Sequence, residues 1–156
     1  MKILNKKVAA VTGAGSGIGQ ALAINLAKQG CHLALSDINE QGLQATVKLI
    51  EELQKEFAIN VTSQTLDVSD KEAVFNWAKQ VVNDHGKVNL VFNNAGVALS
   101  GTVDSVSVED YEWVMSINFW GVIYGTKAFL PLLEESGEGH IVNISSVFGL
   151  TSQPFM

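Results

Sequence analysis

Hydrophobic positions along the chain alternate between short, nearly unbroken apolar runs and longer stretches in which they recur at helical spacing. Lys7–Thr12 (KVAAVT) is mostly apolar, which fits a parallel strand covered on both faces. From Ile18 to Gln29 the residues Ile18, Leu22, Ala23 and Leu26 follow a helical repeat that Gly30 closes. His32–Asp37 reads as a second strand, and Asn39 is placed to cap a helix running to about Phe57 with Leu43, Val47 and Ile50 on one face. Val61–Leu66 predicts a third strand. Ser69 precedes a helix from Asp70 to about His85 whose Ala73, Val74, Trp77 and Val81 face inward. Val88–Asn93 is the fourth strand, Val108–Glu135 one long helix and Gly139–Ile144 the fifth strand. Strand and helix alternate without a linker or repeat. That pattern predicts a doubly wound parallel sheet between two layers of helices, a three-layer α/β/α architecture forming one domain over residues 1–156.

Composition narrows the class. With 47% hydrophobic and 17% charged residues, the chain is apolar enough to bury a core and too apolar for disorder. A net charge of −6 without basic clusters offers no footprint for nucleic acid or an anionic membrane. No apolar stretch approaches the roughly 20 residues that cross a bilayer, and the N-terminus lacks a signal-peptide pattern, so the expected location is cytoplasmic. Cys31 is the only cysteine, which excludes an internal disulfide and a CxxC site; its place at an apolar run predicts a buried small side chain. His85 reads as a surface residue at a helix end, and His32 and His140 as isolated residues at strand starts. None has metal-ligand spacing, so no metal is expected.

The chemistry begins at Thr12–Gly19 (TGAGSGIG), where the first strand becomes the first helix. Gly13, Gly17 and Gly19 allow a sharp turn, close approach to a pyrophosphate and packing of helix on sheet, while the amides at the helix start, around Ser16, Gly17 and Ile18, suit a phosphate. There is no Gly-Lys-Ser/Thr, which argues against a P-loop. Asp37 ends the second strand, 18 positions after Gly19. A carboxylate there accepts both adenosine ribose hydroxyls and repels a 2′-phosphate, and neither Ser16 nor Ile38 supplies a cation to offset that repulsion. NAD is therefore expected over NADP. Asp37 also fits a turn or helix-capping aspartate.

With these residues in hand, the chain resembles the short-chain dehydrogenase/reductase family, which has a Rossmann fold and a TGxxxGxG loop. Asn93-Asn94-Ala95-Gly96 matches its NNAG signature, and Leu66-Asp67-Val68 matches the place where members hold the adenine ring. Asn118 falls where the family has its catalytic asparagine, and Asn143-Ile144-Ser145-Ser146 matches its serine segment, with Ser146 the choice for the catalytic serine and Ser145 the one toward the cofactor. The resemblance implies hydride transfer between NAD and an alcohol or carbonyl substrate. It implies cofactor contacts from Gly13, Ser16, Gly17, Ile18, Gly19, Asp37, Asp67, Val68, Asn94, Ala95 and Gly96, substrate polarisation by Ser146, and a water held by Asn118. Plainer roles also fit: Asn93 and Asn94 as strand terminators, Asp67 as a turn acid, Asn118 as a satisfied structural amide.

The family's proton transfer needs a tyrosine with a lysine four residues on, which the spacing from Ser146 puts near position 159, whereas the sequence given ends at Met156. Tyr111 has Met115 at that offset, and Tyr124 is followed by Lys127 at the wrong spacing. The expectation is a catalytically incomplete piece of an oxidoreductase, truncated after the fifth strand. Its rival is a naturally short NAD-binding sensor or structural protein; a binder of FAD or S-adenosylmethionine would leave the Asn94–Gly96 and Ser146 matches unexplained. The long helix carries Tyr111, Trp113, Phe119, Trp120 and Phe129 as an exposed aromatic stripe, and the resemblance implies a homo-oligomer formed through 108–135.

Overall fold

The computed structural model describes residues 4–53 and 58–151. Five strands, β1 (Val8–Thr12), β2 (His32–Asp37), β3 (Val61–Thr65), β4 (Leu90–Asn93) and β5 (His140–Asn143), pair in parallel in the order β3-β2-β1-β4-β5. The chain thus winds outward one way to β3, crosses back beside β1, and winds outward again. This is the expected doubly wound, Rossmann-type sheet.

Alternation of side chains along the strands builds two cores. Ala9 and Val11 of β1, Leu33 and Leu35 of β2 and Leu90 and Phe92 of β4 face α1 (Gly17–Lys28) and α2 (Glu40–Leu53), packing on Ala23, Leu26, Leu43 and Ile50. Val8, Ala10, Ala34 and Val91 point the other way. They meet Val74, Trp77 and Val81 of α3 (Lys71–His85) and Phe129 and Leu133 of α5 (Val122–Glu135). Because both faces are covered, β1 is buried from end to end, which explains its unbroken apolar run.

Several boundaries depart from the expected ones for identifiable reasons. β4 begins at Leu90, and the buried Asn89 before it adds its side chain to the backbone bonds there: its Oδ1 accepts from the Val8 amide at 3.1 Å, and its Nδ2 donates to the Glu138 carbonyl at 3.1 Å. α3 is capped by Asp70, whose side chain accepts from the Ala73 amide at 3.0 Å, while Ser69 turns back to the Asp67 carboxylate. Asn39 caps α2 as expected, accepting from the Gly42 amide at 3.1 Å; the expected extension of that helix to Phe57 lies outside the described residues. The long helix runs unbroken from Val108 to Glu135, as expected, but changes its winding. α4 (Val108–Met115), started by a Ser107–Asp110 capping box, passes through a π-helical segment at Ser116–Gly121 into α5.

Three side-chain expectations are corrected. Phe129 is fully buried, edge-on to Trp77 at 5.3 Å, and so leaves the exposed stripe. Ile18, which continues the apolar repeat of α1 and was named as a cofactor contact, is 63% exposed and does not pack with that repeat. His85 and His32 are neither simply superficial nor isolated. Their rings lie 6.5 Å apart, His85 Nε2 is 2.9 Å from the Thr62 hydroxyl, and His32 Nδ1 accepts from the Asn60 amide at 2.8 Å. Burial, and then neighbouring His32, lower the His85 pKa against the opposing pull of Asp84. Cys31 is buried as expected, and burial pushes its thiol up to about 11. Among the described residues no helix is long and apolar enough to cross a membrane.

Candidate functional site

The carboxyl ends of β1, β2 and β4 meet where the winding of the sheet reverses, and the chains leaving them diverge to open a crevice. A cleft of about 360 Å³ occupies it. Its lining includes Gly13, Ser16, Gly17, Ile18, Asp37, Asp67, Val68, Asn94, Ala95 and Gly96, together with Val97 and Ile117, which the sequence reading did not single out. The exposure of Ile18 is explained by this position. Gly19 is the one expected member that does not line the cleft. A Cβ at Gly19 would run into the Gly13 carbonyl, so its service is to let α1 pack beneath the loop. Gly13 sits at φ +66, with Ala95 so close that a Cβ would come 2.8 Å from its Cα.

One hydroxyl joins the loop to the end of β4. Thr12 Oγ1 donates to the Phe92 carbonyl at 3.3 Å and accepts from the amides of Asn94 and Ala95, each at 3.0 Å. The Asn94 side chain returns the contact, donating to the carbonyls of Thr12 at 2.9 Å and Gly13 at 3.2 Å. Asn93, fully inside, donates to Asn143 Oδ1 at 2.8 Å and so ties β4 to β5. The two asparagines therefore do more than end a strand. Thr12 was visible as the first letter of the glycine motif, but its role as acceptor for two amides required the fold to bring β4 alongside.

Asp37 is held from both sides. Oδ2 accepts from the Gly15 amide at 2.7 Å and Oδ1 from the Asn39 amide at 2.8 Å. Each oxygen keeps a further lone pair, and the residue lines the cleft. At the other side of the loop, Ser16 is the N-cap of α1 but makes no side-chain cap bond, and no acid lies in the first turn. The helix start thus presents amides without a capping partner and a partial positive charge to the cleft. Uncapped amides, a carboxylate with free lone pairs beyond them and a glycine-lined wall fit a dinucleotide: phosphate at the helix start, ribose at Asp37.

A second cavity, of about 800 Å³, adjoins the first and shares Asn94, Ala95, Gly96, Val97 and Ile144 with it. Asn118 and Ser146 both line it, as does Ser145, which was expected on the cofactor side. Asn118 stands on the π-helical segment. Its Oδ1 accepts from the Val97 amide at 2.9 Å and its Nδ2 donates to the Val97 carbonyl at 2.8 Å, so its amide grips the loop after β4. Ser146 Oγ accepts from the Phe148 amide at 3.2 Å, which leaves its hydrogen free to donate. Of the segment that follows Ser146, residues 152–156 lie outside the described residues.

A parallel sheet wound both ways from a switch point, with a glycine turn under the crevice and an acid closing the second strand, defines a Rossmann-type α/β protein. The chain belongs to the short-chain dehydrogenase family, whose model matches residues 7–156. SadH of Mycobacterium tuberculosis, an oxidoreductase by name, is 50% identical over 154 residues, covering 99% of this chain and 54% of SadH. A short-chain dehydrogenase/reductase from Burkholderia phymatum, solved in complex with NAD, is 39% identical with a TM-score of 0.94, covering 100% of this chain and 54% of that one. An NAD+-bound xylitol dehydrogenase is 35% identical with a TM-score of 0.92, covering 99% and 58%. The chain spans about half the length of the curated relatives it matches.

Proposed function

We propose that this chain is the NAD-binding part of an oxidoreductase that interconverts alcohols and carbonyl compounds. The observation that carries the reading is Asp37, held by two amides at the cleft with lone pairs to spare and no cation at Ser16 or Ile38. Bound NAD supplies the hydride acceptor of such a reaction, and its reduced form the donor. Asp37 accepts the ribose hydroxyls and rejects a 2′-phosphate. The amides around Ser16, Gly17 and Ile18 take the pyrophosphate; Gly13 and Gly19 shape that turn. Asp67 and Val68 flank the adenine, and Asn94, Ala95 and Gly96 form the floor that leads to the second cavity. There Ser146 donates its hydrogen to the substrate oxygen, and Asn118 acts as a positioning residue through Val97.

The proton-transfer pair is not among the 156 residues, which hold no Tyr-x-x-x-Lys. We therefore propose that this chain binds NAD without turning over alcohols. The same observation favours a second reading, a non-catalytic NAD-binding sensor, and the encoding frame beyond Met156 separates the two. We further propose a cytoplasmic location and a homo-oligomer formed through 108–135, the latter supported by the exposed aromatics there. Calorimetric titration tests the cofactor assignment: NAD is expected to bind more tightly than NADP, and equal or tighter binding of NADP refutes it. Turnover of alcohols by this chain at the rate of complete family members refutes the proposed incompleteness.

A further inference from the structure

The second cavity has a wall of one kind. Leu99, Val103, Val106, Val114 and Phe148 supply it, and no Asp, Glu, Lys, Arg or His lines it among the described residues. Its amide side chains are already engaged, Asn94 on Thr12 and Gly13 and Asn118 on Val97. The remaining polar lining carries hydroxyls: Thr102, Tyr111, Ser145 and Ser146. Thr102 is bonded to the Ser105 hydroxyl at 2.9 Å, whereas Ser146 keeps a donor free beside the residues shared with the first cleft. Ser146 can thus polarise a substrate oxygen beside the first cleft, and no lining side chain among the described residues offers a charge to pair with an ionised group.

An ionised group in this space meets no countercharge, whereas an aliphatic chain gains contact with the apolar wall. Val103 is 86% exposed, an apolar side chain left bare on the cavity wall. We propose that this cavity takes a neutral, predominantly apolar alcohol or carbonyl compound and excludes substrates bearing a carboxylate or phosphate. The inference rests on the reading of the adjoining cleft as the NAD site, and it narrows the substrate class for that site.

The test compares 2-octanol with 7-hydroxyoctanoate, which share an aliphatic chain and a secondary hydroxyl and differ in one terminal charge. Both are titrated into the chain with and without saturating NAD, followed by heat and by tryptophan fluorescence. 2-Octanol is expected to bind at least about tenfold more tightly than 7-hydroxyoctanoate. Val103→Lys places a cation on the exposed wall and is expected to raise the affinity for 7-hydroxyoctanoate about threefold, toward that for 2-octanol. Equal or tighter binding of 7-hydroxyoctanoate to the unaltered chain, or no binding of either ligand, overturns the inference. Failure of NAD to bind overturns the cofactor reading instead, and the comparison on the NAD-free chain still decides the substrate class.

Discussion

Asp37 shows how one carboxylate serves the loop and the cleft together, since the oxygens that fix Gly15 and Asn39 belong to a residue lining the cleft, where we propose that the ribose sits. Asp37→Asn keeps the size and removes the charge. Calorimetry is expected to show NAD affinity down about tenfold or more, because hydrogen bonds to a charged acceptor contribute about 1.5–3 kcal/mol each. The preference over NADP is expected to narrow in the same variant; an unchanged NAD/NADP ratio would refute the role. Thr12 makes the neighbouring case. Thr12→Val removes the acceptor from the amides of Asn94 and Ala95 at a buried position, and leaving such groups unpaired costs about 1–3 kcal/mol. Urea denaturation should register that loss, and Thr12→Ser, which retains the hydroxyl, should restore most of it.

At the scale of elements, α3 and α5 form the layer opposite the glycine loop, locked by Trp77 against Phe129. Phe129→Ala should cost about 3–5 kcal/mol in chemical denaturation, the usual range for truncating a buried aromatic. The C-terminal end of α3 adds a pH dependence. His85 is held below its ordinary pKa of 6.5 in the fold, so unfolding takes up a proton as the medium acidifies. Stability is expected to be level above pH 6.5 and to fall as pH drops below it, and His85→Gln should flatten that slope in denaturation series. Most of this architecture was legible in the sequence: the buried strand β1, the Asn39 cap and the inward face of α3 follow from spacing alone. The change of winding in the long helix was not, because a π-helical segment keeps the apolar pattern of a helix. Phe129 was misplaced because its burial depends on Trp77 of α3 packing against it, a contact between elements that spacing along one helix does not show. In the site, sequence-local roles such as the glycine turn could be read directly, but the Thr12 hydroxyl and the second cavity arise from contacts between β1, β4 and the segment after β5.

For the whole molecule, the two faces of the sheet are closed by helices, yet the outer surface of 108–135 remains apolar. Trp113, Phe119 and Trp120 are each nearly half exposed, Trp120 at 47%, and Phe119, Trp120 and Tyr124 form a continuous aromatic cluster with ring centroids 5.3 and 5.9 Å apart. A chain with net charge −6 gains repulsion between copies from its charge, so association through this face must come from aromatic area. Burying one such ring is worth several times the few tenths of a kcal/mol of a screened surface charge contact, at about 25 cal/mol per Å² of apolar area. Sedimentation velocity is therefore expected to find the chain self-associated at micromolar concentration, with added salt tightening the assembly by screening the acidic surfaces. Trp120→Glu places a charge in the centre of the cluster, away from both cavities, and should shift the chain to monomer while NAD titrations stay as they were. A monomeric parent chain in that experiment, or a Trp120→Glu variant as associated as its parent, would show that the aromatic face does not join copies of this chain.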